Sequence, residues 1–407
     1  MTLEFTPEKW VYGGDALGRV EGHVVMAPYL LPGEKARVEI VRERGGFREA
    51  RLAEVLERSP DRVEAPCPIF GSCGGCHYQM ADYAYQLARK VEILREVFRR
   101  VGHMEAPAEI EVVSGEPWEY RNRTQFHIDR GKVGFLAAGS HRLVAVKDRC
   151  PISAPAINVA FGKLRDLVHH PRWPRFVSSV ELFTNGDRTL LNVLETQGGR
   201  RAARGFFDWC GEQIPGAAAG EIDYEVNGIS YRVSHGSFFQ TNRHLAGPLV
   251  ECALRQAEGT TALDLYSGVG LFSVPLAKRG LQVSAVESSL SATRDLEANA
   301  VRAKVAIAVH RINADQYLEK LETAPDLVLA DPPRNGLGKA VVQHLVRLKP
   351  PRITVVSCDP ATQARDLAGL LAAGYKLDHL TLVDLFPQTY HLETVAHLSC
   401  TDSSSLG

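Results

Sequence analysis

Cys358 closes the apolar run ITVVSC, and Glu393 follows FPQTYHL near the end of the last strand-like region. A strand-end thiol can serve as a nucleophile, and helix-like residues beginning at 361 predict that a helix dipole favours its thiolate. A carboxylate between Leu392 and Thr394-Val395 is partly desolvated, which strengthens it as a base. Taken singly, Cys358 fits equally a buried end of a core strand, and Glu393 a surface residue. Asp331-Pro332-Pro333-Arg334 follows LVLA, where a rigid Pro-Pro turn directs the carboxylate outward toward a planar base.

Asp264-Leu265-Tyr266-Ser267-Gly268-Val269-Gly270 lies between an apolar run and the helix-like LFSVPLAKR. A strand, a glycine turn and a helix are the parts of a nucleotide-type cofactor site. Glu287 ends the next strand-like run, where a carboxylate can accept both ribose hydroxyls. Position 273 is Ser, so the third glycine of a dinucleotide loop is missing. S-Adenosylmethionine has no pyrophosphate to cradle, and the shorter turn favours that methyl donor over NAD. Asn313 closes the third run as an adenine contact or as a simple turn residue. Ser237-Phe238-Phe239-Gln240-Thr241-Asn242 pairs two aromatics for stacking with two amides for hydrogen bonding, core phenylalanines being the alternative.

Cys67, Cys73 and Cys76 stand as C-x5-C-x2-C, with Cys150 far downstream. Four thiolates suit a [4Fe-4S] cluster or a tetrahedral zinc. The spacing matches the wider reach of the cluster better than two zinc knuckles, and unrelated buried thiols are the remaining reading.

These groups must be positioned by more than one domain, since the chain has 407 residues. Residues 1–60 carry short apolar stretches between glycine turns, which predicts a small β-barrel of the kind that can bind oligonucleotides. Residues 61–240 contain a helix with Leu87, Val91, Leu94, Phe98 and Val101 on an apolar stripe, then strands whose order is open. Arg95, Arg99 and Arg100 fall off that stripe, available to solvent or phosphate. Residues 241–407 alternate strand-like and helix-like runs, the pattern of a parallel α/β sheet with ligands at the strands' carboxyl ends.

Net charge is −1, and none of the three regions carries more than a one-charge excess of either sign, so nucleic acid cannot be held by bulk charge. Local clusters remain at Arg121 and Arg123 and at Arg200, Arg201 and Arg204. No apolar run is long enough for a membrane span, and the first twenty residues have no signal-peptide core. A cytoplasmic, reducing location and no obligate protein partner are expected.

SFFQTN, DLYSGVG, DPPRNG, SCDPAT and FPQTYHLET, in that order, resemble the RNA uracil-5-methyltransferase family, and the cysteine pattern resembles its iron-sulfur branch, which includes many ribosomal RNA enzymes. The resemblance implies an α/β fold with a C-terminal Rossmann-like class I methyltransferase domain. It also implies an N-terminal OB-like (TRAM) barrel, suggested by LPGE, and a central α+β iron-sulfur domain. Gln240, Tyr266, Leu271, Glu287, Asn313 and Asp331 become S-adenosylmethionine positions, Cys358 the nucleophile, Glu393 the base, and Cys67, Cys73, Cys76 and Cys150 the ligands of a [4Fe-4S] cluster. Family members often carry Asn where Leu271 stands, so only its backbone is credited. Carbon 5 of uracil becomes a nucleophile once Cys358 adds to carbon 6, and Glu393 then removes the carbon-5 proton. Arg334 is placed to steady the cysteine loop. The expected substrate is RNA, ribosomal before transfer RNA. A non-catalytic iron-sulfur RNA-binding protein is the reading of a different class.

Overall fold

The computed structural model describes residues 1–214, 216–218 and 220–400. In the N-terminal sheet, Thr2–Phe5 and Lys9–Trp10 occupy opposite edges of six strands. A flat sheet of that width would separate its edges by roughly 24 Å, which the three intervening residues, reaching about 10 Å, cannot span. The sheet therefore curls on itself, and a Cβ at Gly18 would come within 2.6 Å of the Thr6 carbonyl on the facing segment. The N-terminal region is thus a curled six-stranded sheet. Glu34 of LPGE is buried, accepting from Leu31 N at 2.8 Å and pairing with Arg62.

The central sheet, whose order was open in sequence, runs Leu143–Ala145, Lys132–Leu136, Arg123–Asp129, Val177–Thr184, Thr189–Thr196 and Ala217–Ala218. Helices Pro155–Leu167 and Arg204–Gln213 contribute Phe161, Leu164, Phe206 and Trp209 to its apolar core.

The third sheet has eight strands, ordered Ile307–His310, Gln282–Val286, Thr261–Leu265, Leu327–Ala330, Arg352–Ser357, Glu393–Cys400, Tyr375–Val383 and Glu111–Val113. The first five are parallel neighbours, and Glu393–Cys400 enters antiparallel. Chain order reverses between Thr261–Leu265 and Leu327–Ala330, the topological switch at which such sheets bind ligands.

The strands of the N-terminal sheet end at Glu57, whereas elements between 61 and 240 join the third sheet or pack on its flank. Strand Glu111–Val113 extends the third sheet, and helix Tyr83–Val101 packs on helix Pro360–Ala372. The hairpin Glu221–Val226/Ile229–Ser234 packs on helix Leu290–Ala303, where Asn299 bonds the backbone of Arg232 and Asp295 that of Ser234. Both segments leave the region expected to hold them, because what they bury is the flank of the third sheet.

The helix Tyr83–Val101 was legible, and its buried face in part, since Leu94 and Phe98 of the expected stripe are buried and Val91 packs on the core. Gln86, Lys90, Ile93, Leu94 and Phe98 point inward, while Val101 is exposed. Lys90 is fully buried, its Nζ 2.5 Å from Asp384 Oδ1 and 3.0 Å from the Phe386 carbonyl, and Tyr83 donates to the other Asp384 oxygen at 2.8 Å. Burial pulls the Lys90 pKa down and the Asp384 charge opposes it. Arg95 spends its guanidinium on the carbonyls of Pro107 and Ala108 rather than on phosphate.

Removing one partner of a buried pair strands the other charge at a cost of about 3–5 kcal/mol. Lys90→Met should lose stability of that order in guanidinium unfolding, and Lys90→Met with Asp384→Asn should recover most of it. A single variant as stable as the parent would show that water reaches this pair.

Candidate active site

Tyr266 follows strand Thr261–Leu265 in the left-handed region, φ 61°, and turns the chain into Ser267-Gly268. Gly268, φ 54°, has open space where a Cβ would stand, and its N–H donates to Glu287 Oε2 at 3.0 Å. Ser289 N donates to the other oxygen at 2.7 Å. Two backbone donors thus fix the Glu287 carboxylate and leave each oxygen a further lone pair.

Tyr266, Glu287 and Asn313 line one cavity of about 320 Å³, together with Ile312, Asp315 and Leu337. That is the low end of small-ligand sites. Asn313 sits at the N-cap of helix Ala314–Lys320 yet makes no side-chain cap, which leaves its amide for a ligand. Gln240 and Asp331 fall outside this lining and are joined by an amide–carboxylate contact of 3.4 Å. The side chain of Leu271 belongs to the apolar core and its carbonyl accepts from Tyr231, and it is not among the residues that line this cavity.

Cys358 continues strand Arg352–Ser357, and Glu393 opens the antiparallel neighbour, whose register pairs Ser357 with Thr394. Both expected reactive residues therefore meet at one end of the sheet. Glu393 is 3% exposed, and its pKa is driven far up by burial and by the Asp331 charge. Burial raises Asp331 to about 7.

The expected help from the helix dipole is not available to Cys358. Asp359 intercepts it, accepting from Ala361 N and Thr362 N at 3.0 Å each as the N-cap of helix Pro360–Ala372. Burial and then the charges of Glu393 and Asp331 push the thiol up to about 12, and Arg334 is the cation that opposes them. The Arg334 carbonyl also accepts from Thr362 Oγ1 at 3.2 Å, tying the DPPR turn to the cysteine loop.

Sequence reasoning missed three contributors. Asp264 is fully buried, receives Ser273 Oγ on Oδ2 and leaves Oδ1 without a partner; burial lifts its pKa to about 7. Ser267 Oγ is likewise buried and unpartnered. Orphaned polar atoms beside a ligand turn are what a bound molecule would satisfy. Tyr12 of the barrel donates to Asp359 Oδ2 at 3.1 Å, one residue from the thiol. Only the strand-end position of Asp264 could have signalled any of these. Of the paired aromatics, Phe239 is core and Phe238 is 62% exposed.

Cys67, Cys73, Cys76 and Cys150 carry no disulfide and line a separate cavity of about 150 Å³ with Arg121 and Arg149. Burial raises Cys73 to about 11 and Cys76 further, and the thiols raise one another. Gly75 N donates to Cys73 Sγ at 3.4 Å. Among the described residues no three His, Cys, Asp or Glu side chains form a group able to hold a single metal ion. Four thiols lining one cavity are a donor set whose chemistry suits a thiolate-ligated metal group.

The family model described as tRNA (uracil-5-)-methyltransferase matches residues 221–400. An RNA methyltransferase of Aquifex aeolicus is 33% identical, the match covering 98% of this chain and 99% of that protein. The 23S rRNA (uracil(1939)-C(5))-methyltransferase of Halomonas elongata is 33% identical over 95% of this chain and 86% of its own length. The crystal structure of the Pyrococcus abyssi tRNA (uracil-54, C5)-methyltransferase with S-adenosyl-L-homocysteine superposes with a TM-score of 0.77 at 27% identity, covering 97% of this chain and all of that one.

With a pKa near 12, against about 8.5 for a free thiol, Cys358 should react with a disulfide reagent at pH 8 on the order of 50-fold more slowly than glutathione, since higher intrinsic nucleophilicity only partly offsets the scarcity of thiolate. Mass spectrometry of the Cys358 peptide reads this rate. Arg334→Gln removes the opposing cation and should slow it further; reaction at the free-thiol rate would mean that a thiolate is already formed.

Proposed function

The chain belongs to the RNA uracil-5-methyltransferase family, and we propose that it transfers a methyl group from S-adenosylmethionine to carbon 5 of a uridine in 23S ribosomal RNA through a covalent bond to Cys358. The observation that carries this reading is the meeting of Cys358 and Glu393 on adjacent strand ends beside Asp331. A non-catalytic RNA-binding protein has no use for that arrangement. The Halomonas relative supports the ribosomal substrate, and the Pyrococcus structure makes transfer RNA the second reading.

Glu287 is held for the ribose, Asn313 for adenine and Tyr266 for the turn beneath them. Asp264, Asp331 and Glu393 all have raised pKa values, so a ligand bearing positive sulfonium and ammonium charges would be favoured there. When bound, S-adenosylmethionine supplies the methyl group that carbon 5 takes up.

The chain's own residues do the rest. Cys358 loses its proton to solvent, helped by the Arg334 charge, so that the Glu393 carboxylate stays free for its later step, and Sγ bonds carbon 6, which places electron density on carbon 5. Asp331, braced by Gln240, is positioned for the uracil edge. After methylation Glu393 removes the carbon-5 proton, and the Sγ–carbon-6 bond breaks to release the product. Phe238, exposed beside Gln240, is the aromatic left to receive a base taken out of its stack.

The barrel acts as a TRAM-like RNA-binding module in this reading. The four cysteines hold a [4Fe-4S] cluster that pins the loop at 67–76 to the segment at 150. No electron enters methyl transfer, so its role is structural, and Arg121 and Arg149 suit its negative charge.

Methylated positions in ribosomal and transfer RNA from a deletion strain would name the substrate, and a loss confined to transfer RNA would replace the ribosomal assignment. In the purified enzyme, Cys358→Ala should form no 5-methyluridine, whereas Glu393→Gln should accumulate an RNA adduct that survives denaturing gels; turnover by Cys358→Ala at the parental rate would sink the covalent route. Glu287→Ala should weaken S-adenosylhomocysteine binding roughly 10- to 150-fold in calorimetry, the worth of a hydrogen bond to a charged group. Anaerobically prepared protein should carry about four irons, reduced in Cys150→Ser; one zinc and no iron would remove the cluster and leave the methyltransferase standing.

A further inference from the structure

One end of the central sheet abuts the candidate active site. Asn122 donates to the Gln240 carbonyl and Arg123 to the Ser237 carbonyl, both at 3.0 Å. Strand Arg123–Asp129 leads from there to the other end, a distance of ~20 Å at about 3.3 Å per residue. Three segments converge at that far end. A Cβ on Gly131 would come within 2.9 Å of the His169 ring, Gln197 N donates to the Phe176 carbonyl at 2.7 Å, and the rings of Trp173 and Phe206 meet edge to face at 5.2 Å.

Residues 163–176 and 196–209 contain seven lysines and arginines against two aspartates, in a chain of net charge −1. Arg172, Arg175, Arg200, Arg201 and Arg204 are exposed, and none has an ion-pair partner among the described residues. Two of them lie over aromatic rings, Arg172 over Trp209 at 5.3 Å and Arg200 over Phe176 at 5.8 Å. Stacking restrains a guanidinium while leaving its N–H edge to bond phosphate. Trp173 and Trp209 are themselves buried, so the surface presents charge and no indole face for a base.

We propose that this surface is a second RNA contact, which grips backbone phosphates of the substrate away from the target uridine. The proposal rests on the RNA methyltransferase reading and adds where the rest of the substrate is held. A polyanion fits because unpaired guanidiniums match phosphate in bidentate geometry and their binding needs no base identity. At ~20 Å, the surface lies beyond the nucleotide whose base reaches Cys358. It therefore contributes to long substrates and adds nothing to a minimal hairpin.

The test compares the parent enzyme with Arg200→Gln/Arg201→Gln/Arg204→Gln on two probes, a long 23S rRNA transcript and a short hairpin cut from it around the methylated uridine. Affinity for the long RNA should fall about 10-fold, and the slope of log K against log salt should become shallower by about 2, since each lost phosphate contact removes about 0.7–0.9. Turnover on the hairpin should be unchanged, and the corresponding Arg→Lys triple variant should retain most of the affinity. Unchanged affinity and slope on the long RNA would overturn the proposal, as would an equal loss on both probes. Loss of binding to phosphatidylglycerol vesicles with RNA binding intact would assign the surface to a membrane and overturn it too. If the parent methylates neither probe, the ribosomal reading fails by itself, and the binding arm still decides the role of this surface.

Discussion

The nine residues between Asp384 and Leu392 have to be held still, because Glu393 begins where they end. Their polar groups are satisfied mainly from outside. Lys90 and Tyr83 take the Asp384 carboxylate, Asn242 the Leu385 carbonyl, and Tyr120 the Pro387 carbonyl. His77 N and Tyr78 N both bond the Gln388 carbonyl, and Gln86 exchanges hydrogen bonds with the rest of Gln388. Tyr390 meets the rings of Tyr12 and His77. Barrel, cysteine loop, long helix and SFFQTN segment thus all converge on one connection, and the buried Lys90–Asp384 pair is its anchor. A buried pair seldom adds net stability. What it supplies here is geometry, since Asp384 has one cation and one phenol to satisfy it and can occupy no other place.

That anchoring has an electrostatic consequence. Glu393 and Asp331 are forced together in a poorly solvated pocket with the Cys358 thiol, and all three are pushed toward their neutral forms. Asp264 is held in the same condition two strands away. The unliganded site is therefore a reservoir of unfavourable charge interactions that a cationic ligand relieves. An uncharged thiol also protects the protein, since a standing thiolate would be open to oxidation. Positive charge brought close to these groups would favour the deprotonated form of Cys358.

The candidate residues DLYSGVG, Glu287, Asp331 and Cys358 were located where apolar runs stop and polar residues begin, and they lie at one end of the sheet, whereas Glu393, read near the end of the last strand-like region, opens strand Glu393–Cys400. The helix Tyr83–Val101 was legible but its facing only in part, since a hydrophobic period cannot reveal that Lys90 is buried when its partner stands 294 residues away. The assignment of residues 83–113 and 221–234 failed for a related reason, as pairing with a distant strand or helix leaves no local mark. The dipole argument at Cys358 went astray at Asp359, whose carboxylate occupies the helix amides; an Asp before Pro at a helix start is itself a capping signal and was there to be read.

The same connection gives the cysteine cavity a mechanical route to the chemistry. Cys76 is followed directly by His77 and Tyr78, whose N–H groups hold the Gln388 carbonyl five residues before Glu393. Tyr78 in turn stacks on Trp10 of the barrel at 4.0 Å. Whatever fixes Cys76 in its cavity therefore fixes one end of a short, hydrogen-bonded link whose other end is the segment leading to Glu393. In a loop built of CPIFGSCGGC, with two adjacent glycines and little apolar bulk, packing alone supplies few constraints. A group binding all four thiols would replace that missing core with covalent bonds. It would act on methyl transfer by holding the Gln388 segment in register, without taking any part in the reaction.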